Sequence, residues 1–456
     1  MRNKLPDEIR IAKKQYFKNK LSGCTGNPKG TWKIINNILN RKQCQSDSDK
    51  FEIDNVTITD PLKIAEAFNN YFANVGPSLS DAIVDQGTLP DNYFGELCRC
   101  DFAFELVTEE ELVELVASLT DASAGDDLIP SKIIKNIISE IKYPLLYIVN
   151  LSFSTGVFPD RLKQSRVTPI FKSGKKSSLK NYRPISILPV FSKILEKLAN
   201  YRLQLFFDDN NTIFSNQHGF QRFKSTTSAI LTLTDYILDA FDQRKYVMAI
   251  YLDFSNAFDT VNHEILLQKL HHCGVRGVTS DWFRSYLQNR KQSTQYMKTG
   301  SSYTGLIHSI PQGSILGPTL FNLYINDFAN SLSSLNLILF ADDSCLYLAH
   351  SDLNRLIEIS NNDLECVSRW LNSNKLTLNL NKSHYMIFSR FKKSLTSINS
   401  LKIIDLDIIR YEETEFLGII LQSNLKWDKH ISNITNKLNK YSSILYQIRD
   451  KIDKTL

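Results

Sequence analysis

Two consecutive carboxylates, Asp342 and Asp343, interrupt the otherwise apolar stretch LNLILFADDSCLYLAH at 335–350. The residues on either side read as two strands joined by a tight acidic turn. Adjacent carboxylates between buried strands are costly unless something positive accompanies them. A divalent cation is the natural partner. Magnesium takes oxygen ligands from one or two carboxylates, and substrate phosphates and water complete its octahedron. An isolated Asp-Asp pair ordinarily makes a surface turn, so a further acid in a matching context decides the matter. Asp253 supplies it, closing the near-continuous apolar run YVMAIYL (246–252) that suits a buried central strand. If the two strands lie side by side, Asp253 and Asp342 can share metals. Two metals roughly 3.5–4 Å apart stabilise the attacking and leaving oxygens of an in-line phosphoryl displacement.

The rest of the chain alternates helix and strand patterns. Residues 1–45 read as basic helix broken at 22–30, and TWKIINNILNRK (31–42) shows an apolar face at Trp32, Ile35 and Leu39. Residues 43–60 read as a polar linker, 61–75 as helix, and 77–101 as a loop-rich connection. TEEELVELVASL (108–119) opens with the capping-box pattern of Thr108 and Glu111. A helix over 131–153 is expected to be interrupted near Pro144. Residues 166–174 read as a strand entering a Gly/Lys turn. Amphipathic helices are expected over 190–207 and 226–242, and another follows the hairpin through Leu353, Leu364, Trp370 and Leu371.

Charge is unevenly placed. The net charge is +6, yet residues 1–50 carry +8, 161–224 carry +10 and 422–456 carry +4, leaving −16 elsewhere. Basic flanks around an acidic centre suit a phosphate backbone led toward a metal site. Seven cysteines with no CxxC pair support neither a disulfide framework nor a zinc site. The pair His271 and His272 has no Cys or carboxylate at ligand spacing and reads as structural. No stretch approaches the about 18 apolar residues of a membrane span, and the N-terminus lacks a signal-peptide core. The expected location is intracellular, in cytoplasm and/or nucleus, with no membrane partner.

YLDFSNAFDTVNH (251–263), PQGSILGP (311–318) and FADDSCLY (340–347), in this order, closely resemble three palm motifs of reverse transcriptases of the non-LTR (LINE-type, jockey-like) retrotransposon branch. The resemblance extends over about residues 155–445. SRVTPIFKSGKKSSLKNYRPISIL (165–188) and NQHGFQRFKSTTSAI (216–230) look like its fingers motifs. WLNSNKLTLNLNKSHYMIFS (370–389) resembles the following palm motif, and EFLGIILQSNLKWDKHI (415–431) the segment leading to the thumb. LTDASAGDDLIPSKIIKN (119–136) resembles the N-terminal extension motif.

The resemblance implies an α/β (α+β) right-hand polymerase fold with palm, fingers and partial thumb. Its expected parts are a basic helical extension or linker at 1–100, an N-terminal extension at 101–154, and a polymerase domain at 155–422. Within that domain the fingers span 155–245 and the palm 246–422. A truncated thumb is expected at 423–456. The implied activity is RNA-directed DNA synthesis from dNTPs on an RNA template and a DNA primer. It implies two Mg²⁺ ions, with Mn²⁺ as substitute, held by Asp253, Asp342, Asp343 and the Phe254 carbonyl. Carried over residue by residue, Phe258 lies under the nucleotide sugar and excludes a 2′-hydroxyl. Gln312 and Gly313 contact nucleotide and template, Lys172 and Arg183 clamp the triphosphate, and Arg222 and Lys224 contact template backbone. Lys382 resembles the lysine that protonates leaving pyrophosphate. Two departures stand out: Gly317 replaces the usual Ser, and Gln221 replaces the Arg that many relatives carry after GF. Trp427 and His430 are expected to pack.

No endonuclease motif is present, so a separate endonuclease or other element-encoded protein is the expected source of target nicking. Two other readings compete. Viral RNA-directed RNA polymerases generally carry GDD and a second Asp five residues after the first motif's Asp; here the hairpin is ADD and Phe258 fills that position. A catalytically impaired or domesticated RNA-binding relic would use the basic fingers alone, through salt-sensitive phosphate contacts.

Overall fold

The acid-ended apolar strand sits in the middle of the main sheet. The computed structural model describes residues 4–41, 50–53, 56–83, 87–121, 123–390, 400–404, 406–449 and 451–452. The chain divides into two compact units, Lys50–Glu413, and Met1–Asp49 with Thr414–Leu456.

In the larger unit, a six-stranded sheet runs in the order Leu401–Ile403, Leu406–Arg410, His384–Phe388, Tyr246–Asp253, Asp343–His350, Asn336–Phe340. Val247–Leu252 are buried without a break, because Tyr246–Asp253 has strands on both sides. Helices Thr226–Asp242 and Leu353–Ser373 pack against the sheet. The second of these buries Leu356, Leu364, Val367, Trp370 and Leu371 on one face. Each large apolar side chain so buried contributes about 1.5–3 kcal/mol, which holds the central strand rigid up to its acidic end.

A second sheet pairs Gln164–Phe171 with Tyr182–Ile187 antiparallel and with Lys291–Tyr296 in parallel. Register partners Ile170↔Arg183 and Phe171↔Tyr182, continued by Lys172 N donating to Asn181 O at 2.8 Å, bring Lys172 and Arg183 to the same end.

Several expectations are corrected. The helix Ser131–Thr155 runs unbroken through Pro144. Ile134, Leu145, Val149 and Phe153 are buried along its length, and their packing outweighs the proline's cost of about 3 kcal/mol. The helix expected to end at 75 continues to Asp81. Within the expected linker, Phe51–Ile53 and Val56–Ile58 form a hairpin, while 42–49 lie outside the described residues. Phe51 is fully buried and meets Phe68, Tyr182 and Tyr296 at ring separations of 5.1, 5.7 and 5.6 Å. Thr108 does cap its helix by accepting from Glu111 N. The box is not closed, since the Glu111 carboxylate takes both prongs of Arg202 at 2.7 and 2.8 Å.

The smaller unit holds helices Lys4–Ser22 and Pro28–Ile38, a hairpin at Glu413–Phe416 and Ile419–Gln422, and the helix Asp428–Ile448. Ile34, Ile38 and Ile448 form its buried core; of the expected stripe, Ile35 and Leu39 pack partly buried against it and Trp32 is exposed. Trp427 precedes the last helix at φ 63°, and His430 Nδ1 accepts from Ile420 N at 3.3 Å. Among the described residues no helix is long and apolar enough to cross a membrane, and the described cysteines are free.

Candidate active site

The acidic turn is held from behind. Gln217 Oε1 accepts from Gly219 N at 2.8 Å and from Ala341 N at 3.1 Å. This ties Ala341 into its left-handed conformation at φ 54°. Gly219 has to be glycine, because a Cβ there would stand 2.3 Å from Ala341 N. The HGF segment is thus the brace of the hairpin, a role not visible in its sequence.

Register then sets the acids. Asp343 is the cross-strand partner of Asp253, and Asp342 occupies the turn. The two strands do lie side by side, and all three acids fall in one electrostatic neighbourhood. Asp342 and Asp343 are open to solvent, yet surrounding protein strips part of their hydration. Burial raises the pKa of both, and the charge of Asp253 raises them further. Asp343, pushed also by Asp342, reaches about 6. Lys172 and Arg183 pull both acids back. Burial first, then Lys382 and Arg183, lowers the Lys172 pKa, while Asp253 opposes. The sheet register therefore assembles Asp253, Asp342, Asp343, Lys172, Arg183 and Lys382 in one place.

Lys382 Nζ lies 3.2 Å from Asp253 Oδ2, so it neutralises that acid. The backbone beside Asp253 is fixed: its N–H donates to Ser383 Oγ at 3.2 Å and its carbonyl accepts from Asn379 N at 2.8 Å. Ser255 N donates to Thr377 O at 2.8 Å. The Phe254↔Leu378 bridge is therefore made by the flanking groups, leaving the Phe254 carbonyl outside that ladder. Among the described residues no group of three or more His, Cys, Asp or Glu side chains forms a finished metal-holding cluster. Asp342 and Asp343 form no ion pair or side-chain hydrogen bond to another described residue. These acids offer oxygen donors alone, the set that suits Mg²⁺ or Mn²⁺.

Phe258 is half-buried and stacks on Phe321 at 4.5 Å. The turn at Gln312 and Gly313 is bound to the strand carrying Arg183, since Ser186 N donates to Gln312 O at 2.7 Å. Gly313 has φ 113°, and a Cβ there would meet Ser186 O at 2.6 Å, so the residue is required on both grounds. Two acids supporting this turn escaped the sequence reading. Asp259 accepts from Gln312 Nε2, and fully buried Glu196 accepts from Ile315 N at 2.7 Å. Both belong to patterns that read as core, AFDTV and an amphipathic helix; an acid within an apolar run was the available signal.

Arg222 and Lys224 stand apart from the carboxylates. They line a cavity of about 900 Å³ together with Phe223, Lys269 and Asp327. Arg222 lies over the Phe223 ring at 5.0 Å and Lys224 Nζ donates to Ser215 O. His272 bonds the Gly95 carbonyl at 3.0 Å, a structural contact.

The family model described as reverse transcriptase (RNA-dependent DNA polymerase) matches residues 173–421, more than half of the chain. The chain is 26% identical over 373 residues to the RNA-directed DNA polymerase from mobile element jockey of Drosophila melanogaster, covering 77% of this chain and 40% of that protein. It is 28% identical over 342 residues to the probable RNA-directed DNA polymerase from transposon BS of the same organism, covering 72% and 37%. It is 24% identical over 420 residues to the corresponding X-element protein, also of D. melanogaster, covering 89% and 45%. The chain thus spans less than half the length of these curated relatives.

Proposed function

Because the chain belongs to the reverse transcriptase (RNA-dependent DNA polymerase) family, in its non-LTR retrotransposon branch, we propose that it extends a DNA primer by copying RNA from dNTPs. The observation that carries the reading is the register that faces Asp343 with Asp253, sets Asp342 at the turn, and brings Lys172 and Arg183 to the same acids.

In this reading Asp253, Asp342, Asp343 and the Phe254 carbonyl hold two Mg²⁺ ions. Bound there, the ions supply charge to the attacking and leaving oxygens of the transfer. Lys172 and Arg183 hold the triphosphate, Arg as a planar fork and Lys as a point charge. The positive charge beside the acids supports this division, since it opposes the rise of the Asp342 and Asp343 pKa while leaving both side chains open. Lys382 lies against Asp253, which supports charge balance there; protonating a leaving group would require it to leave that acid. Phe258, supported by Phe321, lies under the sugar. The bound turn of Gln312 and Gly313 forms the nucleotide wall, and the cavity edge at Arg222 and Lys224 meets template phosphates. The fingers span 155–245, the palm 246–422 and the thumb begins at 423, after extensions at 1–100 and 101–154.

The test is primer extension on an RNA template with dNTPs and Mg²⁺. Wild type extends, and Asp342→Asn, folded by circular dichroism, loses at least about a thousandfold in rate. Equal extension by both would overturn the assignment. No extension by either, with salt-sensitive RNA binding retained, would favour the binding relic. Phe258→Ala should admit ribonucleotides; unchanged dNTP over rNTP selectivity would remove its sugar-gate role.

A further inference from the structure

Resting on that reading, we infer that Glu196 is a positioning residue: from a neighbouring helix it caps Gly317–Tyr324, holds Phe321 under Phe258, and so sets the choice between dNTPs and rNTPs. The first N–H groups of a helix have no partner within it. Leu316, directly before Gly317–Tyr324, supplies no side-chain cap and is fully buried, out of reach of water. Glu196 Oε2 supplies the acceptor, taking Ile315 N at 2.7 Å and Leu316 N at 3.4 Å. Ser314 Oγ takes the next, Gly317 N, at 3.1 Å. Burial raises the Glu196 pKa and Arg290 opposes the rise. A carboxyl group can accept at one oxygen in either charge state, so the cap does not depend on ionisation.

The capped helix joins the parts of the site. Gly317 and residues 319–324 are all buried. Phe321 stacks on Phe258 at 4.5 Å, with the rings 23° from parallel. Asn322 Nδ2 donates to Gly219 O at 2.7 Å, in the segment that braces the acidic turn. Glu196 reaches the helix start from Val190–Asp209, and Gln204 of that same helix donates to Thr319 Oγ1 at 3.2 Å. Glu196 is itself held, since it is fully buried and its Oε1 accepts from Ser192 Oγ at 3.0 Å. Phe258, the proposed floor of the sugar site, is half-buried, whereas Phe321 behind it has no exposure. The height of that floor is therefore set from behind, by where the helix starts. A lost cap releases the start, Phe321 recedes, and Phe258 yields room at the 2′ position. Close packing passes such a small displacement on rather than absorbing it.

The experiment is single-nucleotide insertion by the full chain on a primed RNA template with Mg²⁺, comparing a dNTP with the matching rNTP. The proteins are wild type, Phe258→Ala, Phe321→Leu, Glu196→Asp and Glu196→Gln. Asp keeps the charge beside Arg290 but is a methylene too short to reach Ile315 N. Gln keeps the length and an accepting oxygen but loses the charge. Glu196→Asp should lower the dNTP-to-rNTP ratio of kcat/KM by about fivefold, the size of a lost cap, chiefly by raising rNTP insertion. Glu196→Gln should keep the ratio. A merely structural Glu196 would slow both substrates equally and leave the ratio of Glu196→Asp unchanged, which would overturn the inference. A larger fall in Glu196→Gln than in Glu196→Asp would overturn it too, because charge and not the cap would then decide. If Glu196→Asp does not fold, Phe321→Leu decides: a lowered ratio supports the inference and a retained one overturns it. Selectivity lost in Phe258→Ala but kept in Glu196→Asp and Phe321→Leu defeats the inference alone. Selectivity kept in Phe258→Ala defeats the sugar gate with it, and no wild-type extension defeats the polymerase reading as well.

Discussion

Acids in the body of this molecule and acids at its hairpin tip are treated differently. Asp363 accepts from Ser333 N, Ser334 N and Leu335 N at 3.3, 2.9 and 2.7 Å. Glu196 accepts from Ile315 N and from Ser192 Oγ at 3.0 Å, with Arg290 near. Asp327 meets Lys269 Nζ at 2.7 Å and Trp370 Nε1 at 3.2 Å. Each is provided with donors by the fold. Asp342 and Asp343 are provided with neighbours of like charge and with cations that stand back from them. The first group holds loops and helices in place. The second group is held against like charge, the kind of arrangement that clusters at functional sites. Asp259 lies between the two groups, buried like the first but given only an amide.

The largest effect expected from this contrast is in the paired set. Lys269→Met would leave Asp327 buried without its cation, with Trp370 Nε1 as its remaining side-chain donor. Burial already pushes Lys269 down and Asp327 up, and their mutual attraction opposes both shifts. Loss of about 3–5 kcal/mol in urea unfolding is expected, while Asp342→Asn should lose nothing and gain slightly. Equal destabilisation by the two substitutions would erase the distinction.

How much of this was readable follows from which interactions are local. The apolar run at 246–252 and the hairpin at 335–350 are properties of short segments, so strands and acid positions were legible. The cross-strand partner of Asp253 was not, because strand register depends on the whole face packed against the sheet. Helix continuity at Pro144 and the burial of Phe51 likewise come from packing between distant segments. So do the pairs Glu111–Arg202, Gln312–Asp259 and Gln217–Ala341, which join residues 91, 53 and 124 positions apart. The acids of the site are written in one motif each; what holds them is distributed.

The intermediate case gives the next effect in size. Burial raises Asp259 from 3.8 to about 7, and the Gln312 bond lowers it only in part. Tyr71 faces it, and its own pKa is raised by burial first and then by Asp259. A carboxyl that holds its proton more tightly when folded stabilises the fold at low pH. That stability is intact below about pH 4, declines as pH rises to about 7, and is level above. The decline is on the order of 4 kcal/mol for a shift of this size. Asp259→Asn should flatten that part of a stability-against-pH curve, measured by urea unfolding from pH 4 to 8. A slope unchanged by the substitution would place Asp259 with the provisioned acids.

The smallest effect separates the tip from the paired acids Asp363, Glu196 and Asp327. Asp343 is raised to about 6, by burial first and then by Asp342 and Asp253. By the same sign, its ionisation costs stability as pH climbs from about 4 to about 6. Because the side chain is exposed, solvent screening reduces that cost to about 1 kcal/mol. A cation bound at the tip would reverse it, since a ligand that binds only the folded form stabilises by mass action. At pH 7.5, millimolar Mg²⁺ should therefore raise the melting temperature of wild type and leave Asp343→Asn nearly unmoved, with Asp363→Asn responding like wild type if it folds. A Mg²⁺ shift that survives Asp343→Asn would mean that the unprovisioned acids hold no ion, and the contrast would then need another cause.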